Sequence, residues 1–190
     1  MAFYSYDDLL ALGFINVSRT ALISTRASFY GTQRISLGEH CRIDDFCVLS
    51  AGEGGIEIGR NVHVAVMCTL IGKGKMVLSD FSNISGRVSI YSSNDDYGGA
   101  CLAGAMLPEE LRNVDHRGVT LGRHAIVGAG SVVLPGVHIG DGAAVGAMSL
   151  VKESLDAFGI YVGCPARKVG ERERALLMAE QRYLQSISDG

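Results

Sequence analysis

The fold is decided by residues 119–151, which read VTLGRHAIVGAGSVVLPGVHIGDGAAVGAMSLV. Within this stretch an aliphatic side chain returns at every sixth position, from Leu121 through to Val151. A period of six fits a short strand followed by a turn, and three such repeats make one coil of a triangular parallel β-helix. The stretch therefore predicts two stacked coils.

The same six-residue count extends back to Val17 and includes one aromatic residue, Phe29. Extra residues enter only after a complete set of three repeats, at the join between coils, where an insertion disturbs the stacking least. The six sets are Val17, Ile23, Phe29; Leu37, Ile43, Leu49; Ile58, Val64, Leu70; Leu78, Ile84, Ile90; Leu121, Val127, Val133; and Ile139, Val145, Val151. They predict an all-β fold of about six triangular coils over residues 17–165.

The segments that flank the coils have the patterns of helices. Residues 5–13 start with Ser5 as an N-cap, carry early carboxylates and end at Gly13, so we expect a capping helix within residues 1–16. Residues 166–188 place apolar side chains among charges at helical spacing, which predicts an amphipathic helix within residues 166–190. Between the helices, the one long non-repetitive segment is the loop from Tyr91 to Gly118, and we expect function to concentrate there.

Composition and charge exclude several classes of protein. The chain has 190 residues and a net charge of −3, which provides no basic field for nucleic acid. No apolar run approaches the ~20 residues of a membrane span, and residues 1–12 lack the basic-then-apolar order of a signal peptide. We therefore expect a cytoplasmic protein with no nucleic-acid partner and no membrane insertion.

A second inward-facing position, four residues after each anchor, favours small side chains. Cys41, Cys47 and Cys68 occupy this position, so core packing explains them without any chemistry. Cys101 and Cys164 lie outside the coils and have no ligand spacing, so we expect no metal site.

Glycine follows an anchor directly at six places, where a tight corner favours a residue without a Cβ. These are Gly38, Gly59, Gly122, Gly128, Gly140 and Gly146. We interpret them as structural, because the strand and long helix of a dinucleotide-binding motif do not flank them.

Residues 119–151 and the tail GCPARK, residues 163–168, together resemble the hexapeptide-repeat acyltransferases. The tail is similar to the family's closing motif G-x-P-A-[RK], and the likeness covers most of residues 17–170. The resemblance implies a left-handed β-helix, a homotrimer with active sites between subunits, and transfer of an acyl group from a coenzyme A thioester such as acetyl-CoA.

Three further segments resemble the sugar acetyltransferases of surface-polysaccharide biosynthesis: RIDDFC (42–47), SIYSSNDDY (89–97) and GIYVG (159–163). This likeness implies acetylation of the amine of a nucleotide-linked amino-deoxy sugar, for O-antigen or capsule, with O-acetylation of a sugar hydroxyl as the alternative. In the galactoside and maltose acetyltransferases of this family a histidine follows the strand that corresponds to residues 89–93. Here the chain continues with Asn94-Asp95-Asp96 instead.

Acyl transfer requires a group that accepts a proton and donors for the developing oxyanion. His63 precedes the anchor Val64 and should point outward, with Asn83 stacked on it from the next coil. We therefore assign His63 a catalytic role and Asn83 a role in substrate binding, against the alternative of a solvated surface histidine. His116, where the loop returns, is the second catalytic candidate.

Asp95 is the third catalytic candidate, because a carboxylate can orient a histidine or bind an ammonium acceptor. An aspartate beside a like charge is expected to have a raised pKa. We assign Asn94, Asp96 and Tyr97 to substrate binding, and the alternative for this segment is a turn rich in cap-forming residues. With an amine acceptor, the departing thiolate can itself take the proton.

The resemblance also implies a path for the donor, whose pantetheine arm should run along the wall between subunits. Small residues there allow close approach and leave backbone groups free. The expected contacts are Gly128, Ala129, Gly130, Ser131, Gly146, Ala147 and Ser149. Arg167 and Lys168 are expected to bind the nucleotide phosphates, with Arg172 and Arg174 as further cations.

A β-helix of another class, a scaffold or a carbonic-anhydrase-like protein, is the alternative to an acyltransferase. Zinc enzymes of this architecture hold the metal with several histidines on adjacent coils. The positions stacked on either side of His63 are Arg42 and Asn83, and the GCPARK tail is typical of acyltransferases. We therefore favour the acyltransferase and expect no metal.

Overall fold

Each six-residue repeat forms one short strand, and the strands of successive coils stack in parallel into three sheets. The computed structural model describes residues 2–188. The sheet that we call the first face contains β1 (Asn16–Val17), β4 (Ile35–Leu37), β7 (Ile56–Ile58), β10 (Met76–Leu78), β15 (Val119–Leu121) and β18 (His138–Ile139).

The second face contains β2 (Leu22–Ile23), β5 (Arg42–Ile43), β8 (His63–Val64), β11 (Asn83–Ile84), β16 (Ile126–Val127), β19 (Ala144–Val145), β21 (Gly159–Val162) and the antiparallel β22 (Arg167–Glu171). The third face contains β3 (Ser28–Tyr30), β6 (Val48–Ala51), β9 (Thr69–Gly72), β12 (Ser89–Tyr91), β17 (Val132–Val133) and β20 (Leu150–Val151). The six complete coils are as predicted. A seventh is begun by Leu155, which bridges to Ile139, and by β21.

The anchors point into the prism and form its core. Leu37, Leu49 and Ile84 have no exposed surface, and the small residues four positions after the anchors are buried as predicted. Cys41, Cys47 and Cys68 are free thiols inside this core. Burial raises the pKa of Cys41 to about 12, so this thiol stays protonated and acts as a small apolar side chain.

The corners of the prism are made by left-handed backbone three residues after the anchors. His40, Phe46 and Asn61 have φ values of 54°, 62° and 54° at these positions. The glycines directly after the anchors are needed for a different reason than predicted, because the next coil lies against them. A Cβ on Gly128 would lie 2.4 Å from the backbone nitrogen of Ala147.

The N-terminal end of the prism is covered as predicted. Helix α1 (Tyr6–Ala11) starts at Ser5, whose side chain accepts a hydrogen bond from the backbone N–H of Asp8 while the Asp8 carboxylate bonds back to the Ser5 N–H. Leu9 is buried against the first coil, and Gly13 ends the helix with φ of 73°.

The prediction of one helix over residues 166–188 was wrong in its first part. Residues Arg167–Glu171 form strand β22, which pairs with β21 and so satisfies the backbone groups at the edge of the second face. The helix α2 starts at Ala175 and ends at Ser188. It packs on the corner between the first and second faces, where Glu180 bonds to His124 at 2.5 Å and also pairs with Arg123.

The predicted loop leaves the third face after Tyr91 and returns to the first face at Val119. It contains a two-stranded antiparallel ribbon, β13 (Ser93–Asn94) with β14 (Asp115–His116), and one 3-10 turn at Glu109–Leu111; a second 3-10 turn, Thr32–Arg34, lies between the first two coils. The ribbon holds the two ends of the loop together, so the loop has a defined position at the corner between the third and first faces.

Candidate active site

The ribbon places His116 beside Ser93. Nδ1 of His116 lies 2.7 Å from the Ser93 hydroxyl, and that hydroxyl accepts a hydrogen bond of 2.8 Å from the backbone N–H of Lys73. When the Ser93 hydroxyl donates to Nδ1, Nε2 of His116 carries the N–H of the ring. The carboxylate of the neighbouring Asp115 pairs with Arg117 at 2.6 Å.

A groove of about 540 Å³ lies between the loop and the third face. It brings together two of the predicted catalytic residues, Asp95 and His116, with charged residues of both signs. Its lining residues are Ile71, Lys73, Ser93, Asp95, Ala105, Glu109, Arg112, Asn113, Val114 and His116. This volume suits a small organic ligand.

The two neighbouring aspartates of the loop have different surroundings. Asp96 accepts hydrogen bonds from the backbone N–H groups of Gly98 (2.7 Å) and Cys101 (2.9 Å), so it closes a turn. Because these bonds stabilise the charged carboxylate, the pKa of Asp96 is lowered, and the rise expected for paired aspartates was wrong for this residue. Asp95 is the one that lines the groove.

The other residues assigned to substrate binding in this segment lie on either side of the aspartates. The Asn94 amide donates to the backbone oxygen of Asp95 at 3.2 Å, and Tyr97 is 88% exposed. Neither lines the groove formed by this chain alone. Their roles in binding stay predictions.

His63 lies on the second face, half-exposed and pointing outward as predicted, with Asn83 next to it in register. Its Nε2 lies 2.9 Å from Oδ2 of Asp44, and Oδ1 of Asp44 accepts a hydrogen bond of 2.7 Å from Nε of Arg42. Burial by itself would raise the pKa of Asp44, but the hydrogen bonds and positive charges of Arg42 and His63 outweigh it and lower that pKa.

Within one chain the three catalytic candidates fall into two separate groups. His63 belongs to a cluster on the second face with Arg42, Asp44 and Asn83, whereas Asp95 and His116 line the groove beside the third face.

The wall expected to carry the donor arm differs from the prediction in one respect. The backbone N–H groups of Gly128, Gly130 and Gly146 are not free, since they donate to Val145, Gly86 and Tyr161 at 2.7, 3.1 and 2.8 Å. These small residues instead let successive coils approach each other at this corner.

The two serines predicted on the same wall point into the prism. Ser131 and Ser149 are buried, and both hydroxyls donate to the backbone oxygen of Gly146, at 3.1 and 2.8 Å. Their side chains occupy the small inner position of the repeat, and the assignment of both residues to the donor wall stays a prediction. Ala129 and Ala147, each two positions before one of these serines, are half-buried and exposed, respectively.

The basic residues of the tail have separate partners. Lys168 pairs with Glu171 at 2.5 Å, and this contact raises the pKa of the lysine. Arg167, the first residue of β22, lies 4.0 Å from the carboxylate of Glu153. Arg172 has a structural role, since it donates to the backbone oxygens of His124 and Gly142. Arg174 lies over the ring of Phe158, 4.6 Å from its centre.

Sequence reasoning missed Asp44, Ser93, Lys73 and Arg112. A signal existed for Asp44, because it lies two residues after Arg42, whose position stacks on that of His63. The contacts of Ser93 with Lys73 and His116 depend on how the loop is aligned with the third face, which the sequence does not indicate. Arg112 lies in the irregular part of the loop, where no periodicity indicates its direction.

No group of three or more His, Cys, Asp or Glu side chains within residues 2–188 is arranged to hold a metal ion. No helix in the same range has the length and apolarity needed to cross a membrane.

Comparison with known proteins identifies the family. Residues 118–153 match the family described as bacterial transferase hexapeptide (six repeats). The chain is 48% identical to the dTDP-4-amino-4,6-dideoxy-D-glucose acyltransferase of Escherichia coli over 183 residues, 96% of this chain and 95% of that protein.

A solved structure agrees over the whole fold. AntD, an N-acyltransferase from Bacillus cereus crystallised with dTDP and 3-hydroxybutyryl-CoA, is 43% identical, and the alignment covers 98% of each chain with a TM-score of 0.94. A maltose O-acetyltransferase from Clostridium difficile, at 20% identity and a TM-score of 0.60, has the same fold. This chain therefore belongs to the hexapeptide-repeat acyltransferases.

Proposed function

We propose that this acyl-CoA-dependent acyltransferase transfers an acetyl group to the amine of dTDP-4-amino-4,6-dideoxyglucose. The observation that carries the proposal is the groove of about 540 Å³ with a carboxylate and cations in its lining, in a chain closely similar to enzymes of this chemistry. AntD has been crystallised with dTDP-4-amino-4,6-dideoxyglucose and coenzyme A in a serine-to-alanine variant. The product serves surface-polysaccharide synthesis, and the reaction belongs in the cytoplasm.

In the proposed reaction the sugar amine attacks the thioester carbonyl, the C–N bond forms, and the C–S bond breaks when the tetrahedral intermediate collapses. Asp95 binds the ammonium form of the acceptor in the groove, takes one proton to give the free amine and releases that proton to solvent. After the C–N bond has formed, Asp95 takes a second proton from the nitrogen and passes it to the leaving thiolate, which gives the amide and the free thiol of coenzyme A. The absence of a histidine after Ser93 is compatible with this route.

A spacing in AntD recurs in this chain at Asp95. That protein has been crystallised with one serine replaced by Ala, Cys or Thr and with one aspartate, ten positions further along, replaced by Asn or Ala. In this chain Ser85 and Asp95 are separated by the same ten positions, each one number higher than the residue replaced in AntD. We therefore add Ser85, on the second face just after β11, to the proposed site.

The two histidines have different hydrogen-bonding roles. The buried carboxylate of Asp44 accepts from Nε2–H of His63 at 2.9 Å, so Nδ1 of that ring is left as an acceptor, whereas Nε2 of His116 is left as a donor when Ser93 donates to its Nδ1. An N–H aimed at the thioester oxygen stabilises the charge that develops there. We assign this role to His116 and the orientation of the acceptor to His63, with Asn83 beside His63.

A homotrimer brings these groups together. In the second and third coils, the corner between the second and third faces exposes Phe46 and Met67, each with 52% of its surface accessible. Burying such a ridge around a threefold axis is favourable. The second face of one subunit then meets the third face of the next, so that a loop reaches the partner subunit's His63.

The acyl donor is expected along the same interface, at the corner formed by residues 128–131 and 146–149. The outer side of this corner lacks large side chains except Met148. Arg167 and Lys168 on β22 lie beyond the end of this corner and are proposed to meet the phosphates of coenzyme A.

The test is a thiol-release assay with acetyl-CoA and dTDP-4-amino-4,6-dideoxyglucose, with the amide product identified by mass spectrometry. A dTDP-linked 6-deoxyhexose that has a hydroxyl in place of the amine separates N- from O-acylation, and 3-hydroxybutyryl-CoA tests a longer acyl group. We expect release only with the amino sugar. Release only with the hydroxyl sugar, or none with any pair, would contradict the proposal.

A further inference from the structure

Arg112 has an unusual environment for an arginine in a loop. It directly follows the 3-10 turn Glu109–Leu111, and its backbone forms a bridge with Leu102. Its Nε is buried and has no hydrogen-bond partner. A guanidinium N–H that is removed from water without an acceptor is costly, and an anion in the groove that Arg112 lines would offset this cost by binding the same charged group.

Lys73 adds a second cation to the same groove. Its ammonium group lies 3.4 Å from Glu109, whose side chain is 78% exposed. An exposed pair of this kind contributes little and is readily exchanged for a stronger anion. Arg112 and Lys73 are thus two cations of the groove lining, which also contains the carboxylates of Asp95 and Glu109.

The acceptor of the proposed function has charges that match this groove. A nucleotide-linked 4-amino hexose has a diphosphate on C1 and an amine on C4, on opposite sides of one sugar ring. When the ammonium group on C4 binds Asp95, the diphosphate on C1 is separated from this carboxylate by the width of one sugar ring. Arginine is suited to this anion because its planar donors bind phosphate oxygens in pairs.

We propose that Arg112, assisted by Lys73, binds the diphosphate of the nucleotide-sugar acceptor and so makes the enzyme specific for activated sugars over free amino sugars. The inference rests on the proposed function and deepens it. Asp95 and Arg112 thereby fix the orientation of the acceptor from two ends, which directs the amine and not the nucleotide toward the donor.

The test measures binding, without turnover, by isothermal titration with dTDP and with thymidine. We expect Arg112→Gln to weaken dTDP binding by about tenfold to a hundredfold, the value of a charge-assisted hydrogen bond, and to leave thymidine binding unchanged. Arg112→Lys should recover part of the dTDP affinity. Arg117→Gln is the matched control, since Arg117 belongs to the same loop but pairs with Asp115 outside the groove.

Two results would overturn the inference: equal dTDP affinity in Arg112→Gln and the unchanged protein, or an equal loss for dTDP and thymidine, which indicates a distorted loop. Binding of coenzyme A and the melting temperature report on the fold of each variant. If the unchanged protein turns over the amino sugar and these results are found, the inference alone fails. If the unchanged protein neither binds dTDP nor releases thiol, the proposed function fails with it.

Discussion

The coils and the loop from Tyr91 to Gly118 place their side chains by opposite means. In the coils, an aliphatic residue at every sixth position fixes which way each neighbour points, and the interior consists mainly of apolar side chains. In the loop, polar contacts such as Ser93 with His116 and Asp96 with its own backbone set the shape. The wall therefore supplies most of the buried core, and the loop supplies charged groups of the groove. Substitutions in the wall should lower stability, whereas substitutions in the loop should lower activity.

The largest effect is expected from a cavity in the wall. Leu49 has no exposed surface, and Leu49→Ala should lower the free energy of unfolding by about 2 to 5 kcal/mol, because it removes packed methyl groups from the core. Met106→Ala is the matched change in the loop, where the side chain is 97% exposed, and should stay within about 0.5 kcal/mol. Urea unfolding followed by circular dichroism measures both. Equal losses would remove the distinction between wall and loop.

The next effect is on activity and not on stability. Asp95→Asn should lower kcat by about a hundredfold or more, because an amide cannot take the proton of the acceptor. The neighbouring change Asp96→Asn affects a residue that closes a turn, so it should lower kcat by less than about tenfold. The measurement is steady-state thiol release at saturating donor, with the melting temperature as the control. A larger loss in Asp96→Asn would show that the two roles are reversed.

A smaller effect, dependent on pH, is expected from the cluster on the second face. The folded pKa of Asp44 lies below its usual value of 3.8, so its charged form is stabilised by folding. This contribution is complete above the usual pKa and is lost as the pH falls through the folded pKa. Asp44→Asn should therefore cost about 1 to 3 kcal/mol at pH 6, from the loss of charged hydrogen bonds.

The measurement for Asp44 is urea unfolding of both proteins between pH 3 and 6. The difference in unfolding free energy should be constant at the upper end and shrink toward the lower end. A difference that does not depend on pH would mean that Asp44 does not act through its charge.

The sequence was sufficient for the wall because one rule repeats there. The anchor Val64 determines that His63 points outward, and the register of the coils places Asn83 beside it, both without knowledge of the structure. The same rule assigned Cys47 and Cys68 to the interior. The repeat does not extend to residues 167–171, where helical spacing predicted a helix. Apolar residues among charges fit an edge strand as well as a helix, and only the open edge of β21 decides between them.

The site was only partly predictable. Asp95 and His116 were found as residue types in the long loop, but their common groove depends on the antiparallel pairing of β13 with β14. Asp44 and Arg112 act through contacts with other coils or with an enclosed groove, which no local pattern encodes. The sequence predicted that the outer side of the wall at Gly128 carries small residues. Only the structure shows that the backbone N–H of Gly128 donates to Val145 of the next coil.

Each active site is proposed to lie between the wall of one subunit and the loop of another. This arrangement is tested by mixing two inactive variants, His63→Ala and Asp95→Asn, in equal amounts under conditions that exchange subunits. Sites between subunits then include some with both intact residues, and thiol release should return to about a quarter of the unmixed wild-type rate. If mixed trimers form and remain as inactive as the two variants alone, both residues act within one chain or His63 acts elsewhere, and the shared site is contradicted.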